Sequence, residues 1–178
     1  LMPVFREVML RLGRERPGLT MAIPVADTVR EAVEDATRDL PLRFTLIGNE
    51  ADKYAAMRAA DLALACSGTV STELALAGCP MVIAYRMEPL IGGSVMLYSS
   101  FIYATRFSTV AGKRIAPEFI QDDCTADYLL AEVERLLDDP AARAAQTAGQ
   151  YAALDLMGRG QKPPAEKAAR AVLEFLKM

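Results

Sequence analysis

Short runs of apolar residues alternate with longer segments of helical periodicity over the first ninety residues of the chain. The apolar runs occupy 19–26, 42–48, 62–66 and 81–86. Continuous runs of this kind are typical of strands buried on both faces, as in a parallel sheet covered by helices. The alternation therefore predicts βαβ units in an α/β protein with a Rossmann-like, doubly wound parallel sheet.

The segments between these runs predict helices. Hydrophobic residues recur at helical spacing from Val4 to Leu12, so the chain opens with a helix. Further helices are predicted over 28–40, 50–60 and 70–78. We expect Asp27 to be the N-cap of the first of these and Gly78 to end the last.

Beyond Arg86 the alternation stops. Residues 89–105 carry no charge and contain two glycines. They predict a helix in the core or along a groove, or alternatively a surface that contacts lipid or acyl chains. Residues 106–123 follow no clear period and are predicted to be irregular, and C-terminal helices follow over 125–139, 140–157 and 165–178.

Composition divides the chain near residue 157. Residues 1–157 hold the predicted α/β domain, and the glycines and prolines between 158 and 164 form a linker to the last helix. Doubly wound domains usually start on a strand, whereas this chain starts on a helix. We therefore expect a first strand upstream, so that the chain is a fragment; a genuine start at a helix is the alternative.

The last predicted helix carries one apolar stripe. The stripe consists of Ala168, Ala171, Val172, Phe175 and Leu176. A lone helix of this length is marginal in water, so the stripe needs a surface to pack on. We expect it to cross to a partner domain or, without one, to join two copies as a homodimer with exchanged tails.

Composition excludes several function classes. The chain of 178 residues has no histidine, which removes Ser-His-Asp and Cys-His chemistry and histidine metal sites. Its net charge of −3 argues against a nucleic-acid partner. Cys66, Cys79 and Cys124 form no CxxC pair and predict reduced thiols in a cytoplasmic protein. No segment reads as a signal peptide or a spanning helix.

Ser67, Gly68 and Thr69 lie between a predicted strand and a predicted helix. Ligands of open parallel sheets bind at the carboxyl ends of strands, and a helix N-terminus attracts anions. Glycine lets a phosphate approach the backbone, and the two hydroxyls add donors, with Thr69 also suited to be the N-cap. The turn therefore predicts a phosphate site, with an ordinary capped turn as the alternative.

Glu73 follows one turn into the same helix. A capping box would need Ser or Thr three residues earlier, but that position is Val70. The carboxylate is therefore free to accept bonds from the vicinal hydroxyls of a ribose while the loop holds the attached diphosphate. A solvated surface glutamate is the alternative.

Three segments resemble one family. The stretch SGTVSTELALAGCPMVIAYR (67–86) strongly resembles the nucleotide-binding segment of lipid-A-disaccharide synthase, a bacterial two-domain glycosyltransferase of the GT-B type. Residues 112–140 and 168–176 are similar to its later segments. Nearly the whole chain aligns with the C-terminal half of that family, which implies the C-terminal, UDP-sugar-binding domain of a GT-B fold.

The resemblance implies a reaction and a site. A diacylated glucosamine passes from its UDP donor to an acylated glucosamine 1-phosphate acceptor, with inversion and without a metal or other cofactor. Ser67, Gly68 and Thr69 would meet the diphosphate, Glu73 the ribose, and Ile47, Gly48 and Asn49 the uracil, with Arg86 and Ser108 as further candidate substrate contacts. The whole enzyme would be cytoplasmic and peripheral on the inner face of the inner membrane.

The chain also departs from the family pattern. The family has Leu-Pro-Asn where this chain has Arg106, Phe107 and Ser108, which puts the role of Ser108 in question. The family's general-base aspartate and Gly-Ser-Arg loop lie upstream of every matched segment. No catalytic residue is therefore expected on this chain, and the base is expected on an N-terminal partner domain.

Other functions stay open. Another GT-B enzyme that uses UDP-N-acetylglucosamine would share the Glu and Gly-Pro pattern. A flavodoxin-like binding module without chemistry would explain the alternation but not the spacing from Ser67 to Glu73. A dinucleotide dehydrogenase is disfavoured because no GxGxxG follows a strand.

Overall fold

The computed structural model describes residues 1–86, 103–161 and 164–176. Its helices and strands follow in chain order: α1 (Met2–Glu15), β1 (Thr20–Pro24), α2 (Arg30–Thr37), β2 (Arg43–Ile47), α3 (Glu50–Ala59), β3 (Ala63–Cys66), α4 (Thr69–Ala77), β4 (Met81–Tyr85), α5 (Arg106–Ala111), β5 (Glu118–Ile120), α6 (Ala126–Asp138), α7 (Pro140–Leu156) and α8 (Pro164–Phe175). Short 3₁₀ turns occupy Asp27–Val29 and Gln121–Asp123. The predicted α/β class is confirmed.

The strand pairs of the described residues are all parallel, and they form two sheets. One sheet contains β1 and β2, and the other has the order β3-β4-β5. Parallel neighbours need a crossover, which a helix supplies in each βαβ unit. Among the described residues β1 pairs only with β2, and β3 only with β4, so the upstream strand expected from the sequence stays a prediction.

Strand β4 is the centre of the packing. Met81, Val82, Ile83 and Ala84 are fully buried. Successive side chains of a strand point to opposite faces, so Met81 and Ile83 join one hydrophobic cluster while Val82 and Ala84 join another. The first cluster includes residues of α4, α5 and α7, and the second includes residues of α1 and α6. Helices therefore cover both faces of this sheet.

Two buried amides attach α7 to the start of β4. Gln146 Nε2 donates to the carbonyl oxygen of Met81 at 2.8 Å, and Gln150 Nε2 donates to that of Cys79 at 3.2 Å. Buried carbonyl groups need such partners. The glutamines therefore close this end of β4.

Two expectations change, and a third concerns residues that are mostly outside the described part of the chain. The side chain of Asp27 does not cap the following helix; its carboxylate lies 3.7 Å from the Arg30 guanidinium instead. The segment 106–123 is not irregular, because it contains α5 and β5. The expectation for 89–105 concerns residues that, up to 102, lie outside the described part of the chain.

The cysteines are free thiols. Burial raises the pKa of Cys79 to about 11 and raises the pKa of Cys66. Such thiols are protonated at neutral pH and are therefore poor nucleophiles.

The helices of residues 1–86, 103–161 and 164–176 include none with both the length and the apolar character needed to cross a bilayer.

Helix α8 exposes large apolar side chains. Phe175 is 77% and Leu176 is 74% exposed, and Val172 and Leu173 are also exposed. Val172, Phe175 and Leu176 belong to the stripe predicted to need a partner, and Leu173 adds to the exposed apolar surface. Contiguous exposed apolar surface marks an interaction site.

We predict that the chain self-associates through α8. Sedimentation at tens of micromolar should show association for residues 1–178 and a monomer for residues 1–157, because truncation removes the apolar stripe. Phe175→Asp should act like the truncation, while Glu174→Gln, which alters charge on the same helix, should not. A monomer for both lengths would contradict this prediction.

Candidate functional site

The turn between β3 and α4 is built around Gly68. Cys66 ends β3, and Gly68 is the N-cap of α4 with φ +143° and ψ −155°. This backbone region is open essentially to glycine alone. A Cβ at Gly68 would meet no atom within 4 Å. The backbone here is therefore both unusual in conformation and accessible from outside.

The first turn of α4 has no side-chain cap. Its N-cap, Gly68, has no side chain, and no acidic residue lies in the first turn. The first N–H groups of a helix have no partner within the helix, and together they attract an anion. Thr69 is the first helical residue rather than the expected N-cap, and it is exposed.

Two serine hydroxyls fix the shape of the turn. Ser67 Oγ donates to the carbonyl oxygen of Ala104 at 2.5 Å, and Ser71 Oγ donates to that of Gly68 at 2.7 Å. The hydroxyl proton of Ser67 is therefore already used in a hydrogen bond within the protein. A phosphate at this turn would therefore accept hydrogen bonds from the backbone of Gly68 and Thr69 and from the Thr69 hydroxyl rather than from Ser67.

Glu118 on β5 holds the segment that Ser67 contacts. Its carboxylate is 5% exposed and accepts bonds from Ala104 N at 2.7 Å, Thr105 N at 3.1 Å and Thr105 Oγ1 at 2.6 Å. Hydrogen bonds to a carboxylate are among the stronger ones in proteins. Glu118 therefore ties the 104–105 backbone to β5, and through Ala104 it supports the Ser67 turn.

Glu73 is partly buried and paired, so it is neither free, as expected, nor a solvated surface residue. Tyr54 Oη donates to Glu73 Oε1 at 3.1 Å, and Lys53 Nζ lies 3.3 Å from Oε2. The Lys53 ammonium also lies 4.7 Å from the centre of the Tyr54 ring. We call these three side chains the Lys53–Tyr54–Glu73 cluster.

The contacts with Glu73 favour the protonated forms of Lys53 and Tyr54. The pKa of Lys53 is raised, first by its hydrogen bond to Glu50 and also by Glu73. The pKa of Tyr54 is raised mainly by its hydrogen bond to Glu73. At neutral pH Lys53 is therefore an ammonium, and the Tyr54 phenol still carries its proton.

The residues expected near uracil lie at the end of β2. Asn49 is the N-cap of α3: its side chain accepts from Asp52 N at 2.9 Å and donates to Asp52 Oδ2 at 2.7 Å. Gly48 faces the Arg30 guanidinium so closely that a Cβ there would clash. Ile47 ends β2 and is half-buried. Because α3 starts at this turn and carries Lys53 and Tyr54, the turn and Glu73 are linked through one helix.

Arg86 and Ser108 are engaged by protein partners. The Arg86 guanidinium donates to the carbonyl oxygen of Cys124 at 2.9 Å. Ser108 is fully buried; its hydroxyl accepts from Ile115 N and shares a hydrogen bond with the Thr105 hydroxyl. Contact between Ser108 and a substrate would require α5 to move, so its role as a substrate contact stays a prediction without support from this geometry.

Sequence reasoning did not find Lys53, Tyr54 and Glu118. Lys53 and Tyr54 lie in an alanine-rich helix without a motif, and Glu118 lies in the segment expected to be irregular. Spacing along the chain carries no signal for their contacts, which join residues 13 to 20 positions apart. Among the described residues no group of three or more His, Cys, Asp or Glu is placed to hold a metal ion.

The fold and the turn define a Rossmann-like class of ligand-binding domain. The strands are parallel, helices cover both faces of the larger sheet, and a helix N-terminus follows β3. Within this class, a sequence model of the lipid-A-disaccharide synthetase family matches residues 1–172. The chain belongs to the lipid-A-disaccharide synthase family, whose members are glycosyltransferases of lipid A synthesis.

Relatives named lipid-A-disaccharide synthase match almost all of this chain. Those from Paramagnetospirillum magneticum, Rhodospirillum centenum and Rhodopseudomonas palustris (strain HaA2) are 38%, 40% and 41% identical, each over 99% of the chain. The chain spans 46%, 44% and 45% of their respective lengths. It therefore corresponds to somewhat less than half of each relative.

We predict that Gly68→Ala lowers the free energy of unfolding by about 1–3 kcal/mol, because alanine is strained at this φ and ψ although no atom blocks its Cβ. Gly18→Ala is the matched control: it too has open space around its Cβ, and its φ is outside the strained range. Chemical denaturation of the two variants checks this, and equal stabilities would contradict it.

Proposed function

We propose that this chain is the UDP-sugar-binding half of a lipid-A-disaccharide synthase. The donor is UDP-diacylglucosamine, and the acceptor is an acylated glucosamine 1-phosphate. The observation that carries the proposal is the uncapped N-terminus of α4, with Glu73 one turn further along the same helix. The family membership of the chain supplies the class of substrate.

The diphosphate is assigned to the start of α4. Gly68 offers no Cβ to obstruct it, and the backbone donors of the first turn point outward from an end that carries roughly half a positive charge. The same donors would stabilise the charge that develops on UDP as it leaves. This half can therefore assist departure of the leaving group without a side-chain acid.

The remaining chemistry needs a second surface. Inversion requires a base that deprotonates the acceptor hydroxyl on the side of the sugar opposite to UDP. The chain has no histidine, and we assign the base to an N-terminal domain that faces the α4 turn. The proposed reaction uses no metal or other cofactor, and the acylated substrates would bring the whole enzyme to the inner face of the inner membrane.

We predict that Glu73→Ala weakens UDP binding by about 1–3 kcal/mol, because ribose hydroxyls lose a partly buried carboxylate acceptor. Isothermal titration with UDP measures the change, and circular dichroism checks that the variant is folded. Unchanged UDP affinity would remove the ribose role from Glu73.

Glu50→Ala is the control for charge. Glu50 also pairs with Lys53, at 2.8 Å, but its side chain is 76% exposed. Loss of the Glu50 side chain should leave UDP affinity within about twofold of the wild-type value, as expected for an exposed ion pair. If the wild-type chain itself binds no UDP at millimolar concentration, a non-catalytic flavodoxin-like module becomes the better hypothesis.

We also predict that the chain alone forms no disaccharide from a UDP-sugar donor and acylated acceptor, because the base lies elsewhere. Fusion to the N-terminal half of the Rhodospirillum centenum relative should produce activity, measured by release of UDP and by mass spectrometry of the product. Robust turnover by the chain alone would contradict the assignment of the base to another domain.

A further inference from the structure

We infer that Tyr54, with Lys53, is a positioning residue that sets the orientation of the Glu73 carboxylate for the two vicinal hydroxyls of a ribose. The inference rests on the proposed function and deepens it. It starts from the Lys53–Tyr54–Glu73 cluster, which joins α3 to α4.

The Tyr54 ring is held independently of Glu73. It packs against the hydrophobic cluster that contains Met57, Ala65 and Leu74. A ring fixed in this way places the phenol oxygen at one point, 3.1 Å from Glu73 Oε1. Tyr54 therefore acts as a rigid donor, unlike a flexible surface side chain.

Lys53 restrains the second oxygen. Its ammonium lies 3.3 Å from Glu73 Oε2 and 3.4 Å from Oε1, and its side chain is only 17% exposed. With one donor from the ring and one from the ammonium, the plane of the carboxylate is defined. The positive charge also offsets the repulsion between Glu73 and a nearby diphosphate.

The restrained carboxylate keeps room for a ligand. An ionised carboxylate offers about four lone-pair sites. Tyr54 takes one and Lys53 takes one or two, which leaves one or two for further donors. The Glu73 side chain is 22% exposed, so a ligand can reach it. When Lys53 takes one site, on Oε2, each carboxylate oxygen keeps one acceptor site, and the two together suit a vicinal diol.

The test compares UDP with 2′,3′-dideoxy-UDP on the complete 178-residue chain. Tyr54→Phe keeps the packed ring and removes the donor. We expect a three- to tenfold weaker affinity for UDP, about the effect of one hydrogen bond. Affinity for the dideoxy compound should stay within about twofold, because that ligand makes no diol contact. The preference for UDP over dideoxy-UDP therefore falls in the variant.

Two further variants separate positioning from general damage. Tyr128→Phe removes a phenol from an exposed residue on α6 and should leave both affinities unchanged. In a Glu73→Ala background, Tyr54→Phe should have no additional effect, because the phenol then has no carboxylate to orient.

Several outcomes would overturn the inference. Equal weakening of both ligands by Tyr54→Phe, an unchanged UDP affinity, or a full effect in the Glu73→Ala background would each do so while leaving the proposed function intact. A wild-type chain that binds no UDP would overturn the proposed function, and the inference with it.

Discussion

The burial of β4 on both faces is the constraint on which the rest of the larger sheet depends. Four consecutive residues, Met81 to Ala84, have no exposed surface, and each face needs its own layer of helices. α4, α5 and α7 supply one layer, and α1 and α6 supply the other. Polar atoms can approach this strand only at its two ends. One end is closed by the amides of Gln146 and Gln150, and the other is the carboxyl end, where ligands of parallel sheets bind.

The burial of strands such as β4 also explains which parts of the fold could be predicted from the sequence. A strand buried on both faces must be apolar without interruption, and runs such as 81–86 stand out for that reason. Gly78 ends α4 in the left-handed conformation, as its position before Pro80 indicates. The Ser67–Thr69 turn could be placed at the carboxyl end of a strand for the same reason: it follows an apolar run and precedes a helix. Element order and the location of the turn are therefore local properties of the sequence.

What could not be predicted depends on contacts between distant segments. α5 and β5 are short and have weak periodicity. Contacts with distant segments fix α5 in position: Phe107 is buried against the core, and Glu118 binds the backbone that precedes the helix. The division of the strands into two sheets is likewise invisible in a pattern that reports burial but not pairing. For Glu73, the sequence indicated position along α4 but not the side chains of α3 that face it.

The pairing of Glu73 changes how the site is understood. A lone carboxylate near a diphosphate would repel it, and a carboxylate held only by lysine could turn toward the ammonium and present one oxygen. Tyr54 donates from a packed ring, and Lys53 from a side chain that also contacts Glu50. The two donors come from adjacent residues of one helix, so they move together with the turn at Asn49 that starts it. Any shift of α3 relative to α4 would therefore change the turn proposed to border the base and the carboxylate proposed to hold the ribose at the same time.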